Sequence, residues 1–542
     1  MEQRDPPPPA VALYLVLFDP TIGYTIAWHR AIPGLDLAGV EFRSLPSGLH
    51  AVDADVVYFL HRGYVGVSVF AREEADTSAR GAGFVAVGVL LAVEEGRLGR
   101  AWRRVGDLRR LIAAGLREET ARGVLDRFWE DECCQGNELA PAVGGDVGRT
   151  RALSVVTGHE GTETGAGDDH PAHAVETLLD VFGPLVFPLH RLALLRKRIL
   201  FLCAPPVQQA CHFAYVVSVL SRLPTDLCEA LAPDVTTASR LRSLYCVGIH
   251  DIPDLEEAKT DEAGWIACTT DDILRDKTTL YDVLVEMGGT RKARARWPVL
   301  RWSDGTVVKA TQRDWRRYRL LRTRLEDVKK CLEKYHDDPH EQNEEEEEEE
   351  EEEDDAPLLR SNTTLLDVYP GSVYDHEMVE PVSWTRMALE GLMWWASAGE
   401  MDGWESDEAR ADRSLFDDFA SGLDLSAFVD PSDDAPQMLD GARATATVVT
   451  AYFHRLTTRV LSVMADMVEE AEDNASDQDD GDDVDDVEMV VGIAREDITD
   501  MGLEPWSGMD QNFVREALKL YFGRANSVVA EAETTICGLR IC

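Results

Sequence analysis

The stretch Arg196–Ser221, RKRILFLCAPPVQQACHFAYVVSVLS, decides the fold. Ile199 to Cys203 is a short unbroken apolar run, the pattern of a strand covered on both faces. Pro205-Pro206 cannot continue a ladder, because proline lacks an amide proton and fixes φ. Beyond it, Cys211, Phe213, Ala214, Val217 and Leu220 recur at helical spacing after polar Gln208 and Gln209. Strand, rigid turn and helix make the centre of an α/β domain, and nothing in the stretch is catalytic.

Downstream, LYCVGIHDIP (Leu244 to Pro253) and WIACTTD (Trp265 to Asp271) read as further buried strands. WPVLRWSDGTVVKAT (Trp297 to Thr311) reads as a hairpin turning on Ser303-Asp304-Gly305, and a helix from about Gln312 to Lys334 follows. Strands alternating with helices predict a mostly parallel sheet in a central domain over 171–335. Upstream, 10–131 reads as an α+β domain. It has a hairpin over residues 11–32, two strands around Arg62-Gly63 and a fifth strand over residues 84–93. One long amphipathic helix then carries Trp102, Val105, Leu108, Ile112, Leu116, Val124 and Phe128 on or near one face.

Residues 132–170, rich in Gly, Thr and Asp without a period, read as a linker. Residues 336–362 read as an acidic disordered linker, and 363–542 as a helical region with an acidic insert near 469–488. In that region Trp384, Met387, Ala388, Leu392 and Trp395 share a face, as do Val449, Tyr452, Leu456, Val460, Val463 and Met467. A last helix is expected from Ser507, with Asp510 at capping-box spacing and Gly523 as its stop. The tail TTICGLRIC has strand character.

The net charge of −46 argues against nucleic acid as the main partner. Roughly half of that excess sits in Glu344–Asp355 and Glu469–Glu488, blocks expected to be solvated. The ten cysteines form no Cys-x-x-Cys pair, and Cys203, Cys211, Cys246 and Cys268 lie inside apolar runs, the usage of reduced, buried cytosolic thiols. The first ten residues carry no apolar signal core, and the run FVAVGVLLAV from Phe84 is about half the length needed to span a bilayer. The expected location is cytoplasmic, with membrane contact only peripheral.

Gly81-Ala82-Gly83-Phe84-Val85-Ala86 fits a loose dinucleotide fingerprint, but it opens a β-branched strand where that motif needs a helix amino terminus. His336 and His340, with Asp337, Asp338 and Glu341, have the spacing of a divalent metal pair; Pro339 between them favours a linker. His250 and Asp251, near Asp254, have the types for acid–base work, against ordinary strand-end hydrogen bonds. Arg291–Arg296 and Arg313, Arg316, Arg317, Arg319, Arg322 and Arg324 form the one basic region. It reads as a solvated helix face, as a surface for anionic lipid or an acidic partner, or as a stretch screened by the neighbouring glutamate run. No catalytic, cofactor-binding or metal residue is assigned, and no cofactor is expected.

The order of segments resembles the DENN-domain proteins, specifically the LCHN-like branch, in a fungal member. GVEFRSLPSGLH and DVVYFLHRGYVGVSVFAR carry the likeness in the first domain. RLALLRKRILFLCAPPV, LYCVGIHDIP and WIACTTDDILRDKTTLYDVLV carry it in the second. MGLEPWSGMDQNFVREALKLYFGRA with CGLRIC looks like the uncharacterised carboxy-terminal segment of fungal members. The resemblance implies a longin-like first domain, an α/β central DENN domain and a helical last part. It also implies guanine nucleotide exchange on Rab-family GTPases in vesicle traffic. The rival is a trafficking scaffold that keeps the longin-like interaction domain and lacks exchange.

Overall fold

The computed structural model describes residues 8–19, 23–73, 83–92, 98–114, 118–133, 169–224, 231, 240–260, 264–288, 297–337, 378–381, 410–416, 441–476, 490–529, 534–536 and 539–541. The first sheet consists of β1 (Ala10–Asp19), β2 (Gly23–Ala31), β3 (Ala54–His61), β4 (Tyr64–Glu73) and β5 (Gly83–Leu91). Their order is β2-β1-β5-β4-β3, antiparallel throughout. β3 and β4 are joined by Arg62 (φ +49°) and Gly63 (φ +82°), the pair of left-handed residues that a tight hairpin requires.

A short helix, α1 (Val40–Ser44), lies between β2 and β3, and α2 (Val105–Ala113) and α3 (Glu118–Phe128) follow β5. The expected single helix is therefore two, with Leu116 outside the described residues. The sequence at the break, Ala114-Gly115, is a common helix-ending pair. The restart changes phase: Leu125 is buried and Val124 is exposed.

Next come α4 (Ala174–Phe182) and α5 (Val186–Leu194), separated at Gly183-Pro184. By length and composition Pro171–Leu194 could cross a bilayer, but most of it is packed inside the molecule as core. β6 (Ile199–Leu202) leads through Pro205-Pro206 into α6 (Gln208–Leu220), as the opening stretch predicts. Ala210 to Leu220 are buried without a break, so α6 is covered all round. β7 (Arg242–Cys246), α7 (Ile252–Thr260), β8 (Trp265–Thr269), α8 (Asp272–Asp276), β9 (Val283–Glu286), β10 (Val299–Trp302) and β11 (Val307–Val308) complete the second sheet and its crossovers.

The second sheet has the order β11-β10-β9-β6-β8-β7. β6 lies parallel to β8 and β9, β7 parallel to β8, and β10–β11 is the expected hairpin. The unpredicted strand is β9, four residues too short to show a period. Gly264, just before β8, leaves no room for a side chain: a Cβ there would lie 1.9 Å from the Arg196 carbonyl oxygen. Gly264→Ala is expected to cost about 2–3 kcal/mol, read as a lower urea midpoint at constant m; an unmoved midpoint would show that the backbone yields freely.

Three longer helices close the structure: α9 (Gln312–Asp337), α10 (Gly441–Ser476) and, after the short α11 (Arg495–Asp500), α12 (Gly508–Phe522). α10 buries Val449, Tyr452, Leu456, Val460 and Met467 of the predicted face, while Val463 is only partly buried and the unpredicted Met464 is in the core. It continues through Ser476, so the acidic insert expected from Glu469 is helical in its first part. Arg524 pairs with Glu472 there. α12 stops at Gly523 (φ +68°) as expected. Its Ser507 makes no side-chain cap bond, however, and Asp510 instead accepts the Glu504 amide at 2.8 Å.

β12 (Val491–Ile493) pairs in parallel with β13 (Ser527–Val529), and β14 (Thr534–Ile536) forms a hairpin with β15 (Leu539–Ile541) in the tail. One hydrophobic core runs through both large sheets and the first half of α10. A second gathers Met464, Val491, Ile498, Val514 and Tyr521. The acidic run Glu344–Asp355, the basic segment 291–296 and the face carrying Trp384 lie outside the described residues.

Candidate interaction site at the seam of the two sheets

The first sheet meets the second along β3, α1, α6 and β7, and polar contacts fix that seam. Asp55, near the start of β3, accepts the Val207 and Gln208 amides at 2.7 and 3.2 Å. A carboxylate from one sheet thus satisfies orphan amides at the start of the central helix of the other. Burial raises the Asp55 pKa above the usual carboxylate range, and the amide bonds pull against that. Asp55→Ala is expected to cost about 1–2 kcal/mol by urea titration, and a cost near zero would mean that water takes over the cap.

Arg43 of α1 reaches Asp251 and Asp254 beyond β7, both at 2.7 Å. Asp251 also accepts the Gly248 amide at 2.8 Å, and burial raises its pKa against the pull of Arg43. Phe42 stacks on His250 with ring centroids 4.2 Å apart. The trio His250, Asp251 and Asp254 is therefore brought together, but as the anchorage for α1. The strand expected over Leu244 to Pro253 ends at Cys246, and His250 and Asp251 lie instead in a one-turn helix, Ile249–Asp251, with partners the local sequence did not reveal.

Deeper in the seam, Tyr58 of β3 lies between His212 of α6 and Tyr245 of β7, with ring centroids 5.7 and 6.3 Å away. Burial pushes the Tyr58 hydroxyl well above its usual pKa, with Asp169 next in effect, and pushes His212 down to about 4. Asp169 and His170, assigned to the linker by sequence, are packed here. Arg109 of α2 pairs with Asp169 at 3.0 Å, and Trp102 meets the His170 ring at 4.5 Å. Cys211 and Cys268 face each other at 3.5 Å as free thiols, both buried; Cys246 is also buried, while Cys203 is only partly so.

The carboxy-terminal elements are held by a second polar knot. Arg191 of α5 forks onto Asp314 at 2.8 and 2.7 Å and reaches Asp510 at 3.2 Å. Arg317 bonds Asp412 at 3.0 and 2.7 Å, and Arg313 donates to the Thr499 and Leu503 carbonyls at 2.9 and 3.2 Å. Arg313 and Arg317 are only 2% and 1% exposed, which corrects the surface readings of the basic helix for these two residues. Burial would raise Asp412, but the Arg317 and Arg313 guanidiniums together hold it below the usual range. Of the remainder, Arg322 pairs with Asp180 and Arg324 with Asp327, while Arg319 lies over the Trp315 ring.

The other sequence candidates stay apart from the seam. Gly83 opens β5, so the described part of the glycine fingerprint, from Gly83 on, begins a strand and not a helix. His336 lies in the last turn of α9, and His340 is outside the described residues. Among the described residues no three His, Cys, Asp or Glu side chains are grouped to hold a metal ion. The cavity lined by Phe187, His190, Arg191, Leu194, Arg317 and their neighbours encloses about 10 Å³, hardly more than one water.

A family match that spans the first sheet, the seam and most of the second sheet makes this a DENN-domain protein. The family described as DENN domain-containing protein 11 matches residues 13–295, and a domain of unknown function, DUF4484, matches 379–542. The DENN domain-containing protein 11 of Xenopus laevis is 30% identical over 292 residues, 54% of this chain and 63% of that protein. The rat protein of the same description is 30% identical over 51% of this chain and 57% of its own length. The uncharacterized protein ANR2 of Saccharomyces cerevisiae is 22% identical over 96% of this chain and 92% of its own length. The chain belongs to the DENN domain-containing protein 11 family.

Proposed function

We propose that the protein is a Rab-directed guanine nucleotide exchange factor or Rab-binding regulator of vesicle traffic. The observation that carries this is the extent of the family match. Residues 13–295 hold the first sheet nearly whole, four of the six strands of the second and the seam between them. An exchange factor makes no covalent bond. It binds the GTPase switch segments and shifts their equilibrium away from the nucleotide- and magnesium-bound form. A rigid surface built from two sheets suits that task, because contact area does the work.

In this reading the first sheet with α1 to α3 is a longin-like module, and the chain is a fungal, LCHN-like member of the family. The full-length match to a yeast protein supports the last point. The protein works in the cytoplasm and visits endomembranes through what remains of the basic region 291–324. Release of a fluorescent GDP analogue from a panel of purified Rab GTPases tests the proposal. Acceleration of at least one of them is expected. No acceleration and no nucleotide-free complex with any Rab would overturn it. Binding that ignores the nucleotide state would point to a scaffold.

A further inference from the structure

We propose that Phe42, Ile249 and Ile273 form the apolar centre of the face that receives the GTPase, within a net acidic rim; this rests on the function proposed above. The three come from parts of the chain that sequence does not connect: α1, the turn after β7 and α8 after β8. They are 40%, 41% and 52% exposed, and they account for three of the eight large apolar side chains exposed among the described residues. Single exposed apolar residues need no explanation, but a group drawn from three elements to one place does.

Contacts of their neighbours bring the three segments together. Phe42 stacks on His250, the residue after Ile249. Gly248, the residue before Ile249, faces the Asp271 carboxylate, which immediately precedes α8. The patch is also held rigid. Arg43, beside Phe42, is tied to Asp251 and Asp254, so the face is formed before any partner arrives. It lies just past the carboxyl ends of the parallel strands β7 and β8, where open α/β sheets present their binding surfaces.

The rim indicates the chemistry of the partner. Asp254, Glu257, Asp272 and Asp276 are exposed around the patch. Arg275 pairs with Asp272 and Asp276 at 3.1 and 3.4 Å; with Glu256 also exposed, the acids still outnumber Lys259, Arg275 and Lys277. The fitting occupant is therefore a GTPase face with apolar side chains at its centre and lysine or arginine at its edge. The apolar centre would set the dissociation rate, and the acidic rim the association rate and its salt dependence.

The test uses the full chain and the Rab that the exchange panel selects, stripped of nucleotide with EDTA. Ile273→Ser and Ile249→Ser, alone and together, are expected to melt like the wild type, because both side chains face solvent. Each is expected to weaken capture of the GTPase about tenfold, and the pair more. Phe42→Ala adds a third arm, and Asp272→Lys with Asp276→Lys is expected to slow association most at low salt. Val528→Ser, an exposed residue on β13, serves as the control and is expected to bind as the wild type. Wild-type binding by the folded Ile249→Ser/Ile273→Ser variant would overturn this site while leaving the proposed function standing. A wild type that captures no GTPase would overturn both.

Discussion

Replacing Arg191 with leucine is expected to lower the unfolding free energy by about 3–5 kcal/mol. The guanidinium pairs with both Asp314 and Asp510, and both carboxylates are buried. Leucine fills part of the volume but leaves two desolvated carboxyl groups facing one another. Burial already raises the Asp510 pKa, with Arg191 opposing the rise, so losing Arg191 drives Asp510 to take up a proton. The knot also joins α5, α9 and α12, so the loss is felt in the main core and in the one around Met464 and Val514. Urea unfolding measures it. Adding Asp314→Asn and Asp510→Asn to Arg191→Leu is expected to recover part of the loss, because no unpaired charge then remains. A single Arg191→Leu variant within about 1 kcal/mol of the wild type would show that water reaches the knot.

Acidification from pH 7 to pH 5 is the second large effect. Burial holds His170 and His190 down to about 3 and His212 down to about 4, with His173 the next contributor for both His170 and His212. An unfolded histidine titrates near 6.5, so below that value the unfolded chain takes protons the folded one refuses. Stability therefore falls as pH falls from about 6.5 toward 4, by up to about 1.4 kcal/mol per histidine per pH unit. Asp510, Asp55, Asp251 and Glu380 oppose this. Burial raises their pKa values, so the folded state holds extra protons just above the ordinary carboxylate range. The histidine effect has the wider window, and a net loss of several kcal/mol is expected in urea midpoints taken at pH 7, 6 and 5. His212→Gln is expected to flatten that slope. A profile level between pH 6.5 and 5 would refute the argument.

Local patterning made most of the architecture legible. The run Ile199–Cys203, the two prolines and the polar start at Gln208 each obey a short-range rule, and strand and helix appear where they indicate. The five strands of the first sheet were equally readable, because turn residues separate them. What stayed hidden is long-range. Arg313 and Arg317 looked like solvated charges since nothing nearby betrays Asp412, which lies 95 residues beyond Arg317. Asp55 gave no sign that it caps a helix 152 residues away. The patch at Phe42, Ile249 and Ile273 has no sequence signature at all, because its members meet only after folding.

The knot around Arg191 has a consequence for the two family segments. The match to 13–295 and the match to 379–542 look separable on paper, yet α5 belongs to the first and Asp510 to the second. Tyr521 donates to the Leu194 carbonyl at 2.5 Å across the same boundary. An expression fragment ended near residue 340 would leave Arg313, Arg317 and Leu194 without their cover. Anyone wishing to crystallise the amino-terminal half alone should carry the last helix along, or redesign the surface that it shelters.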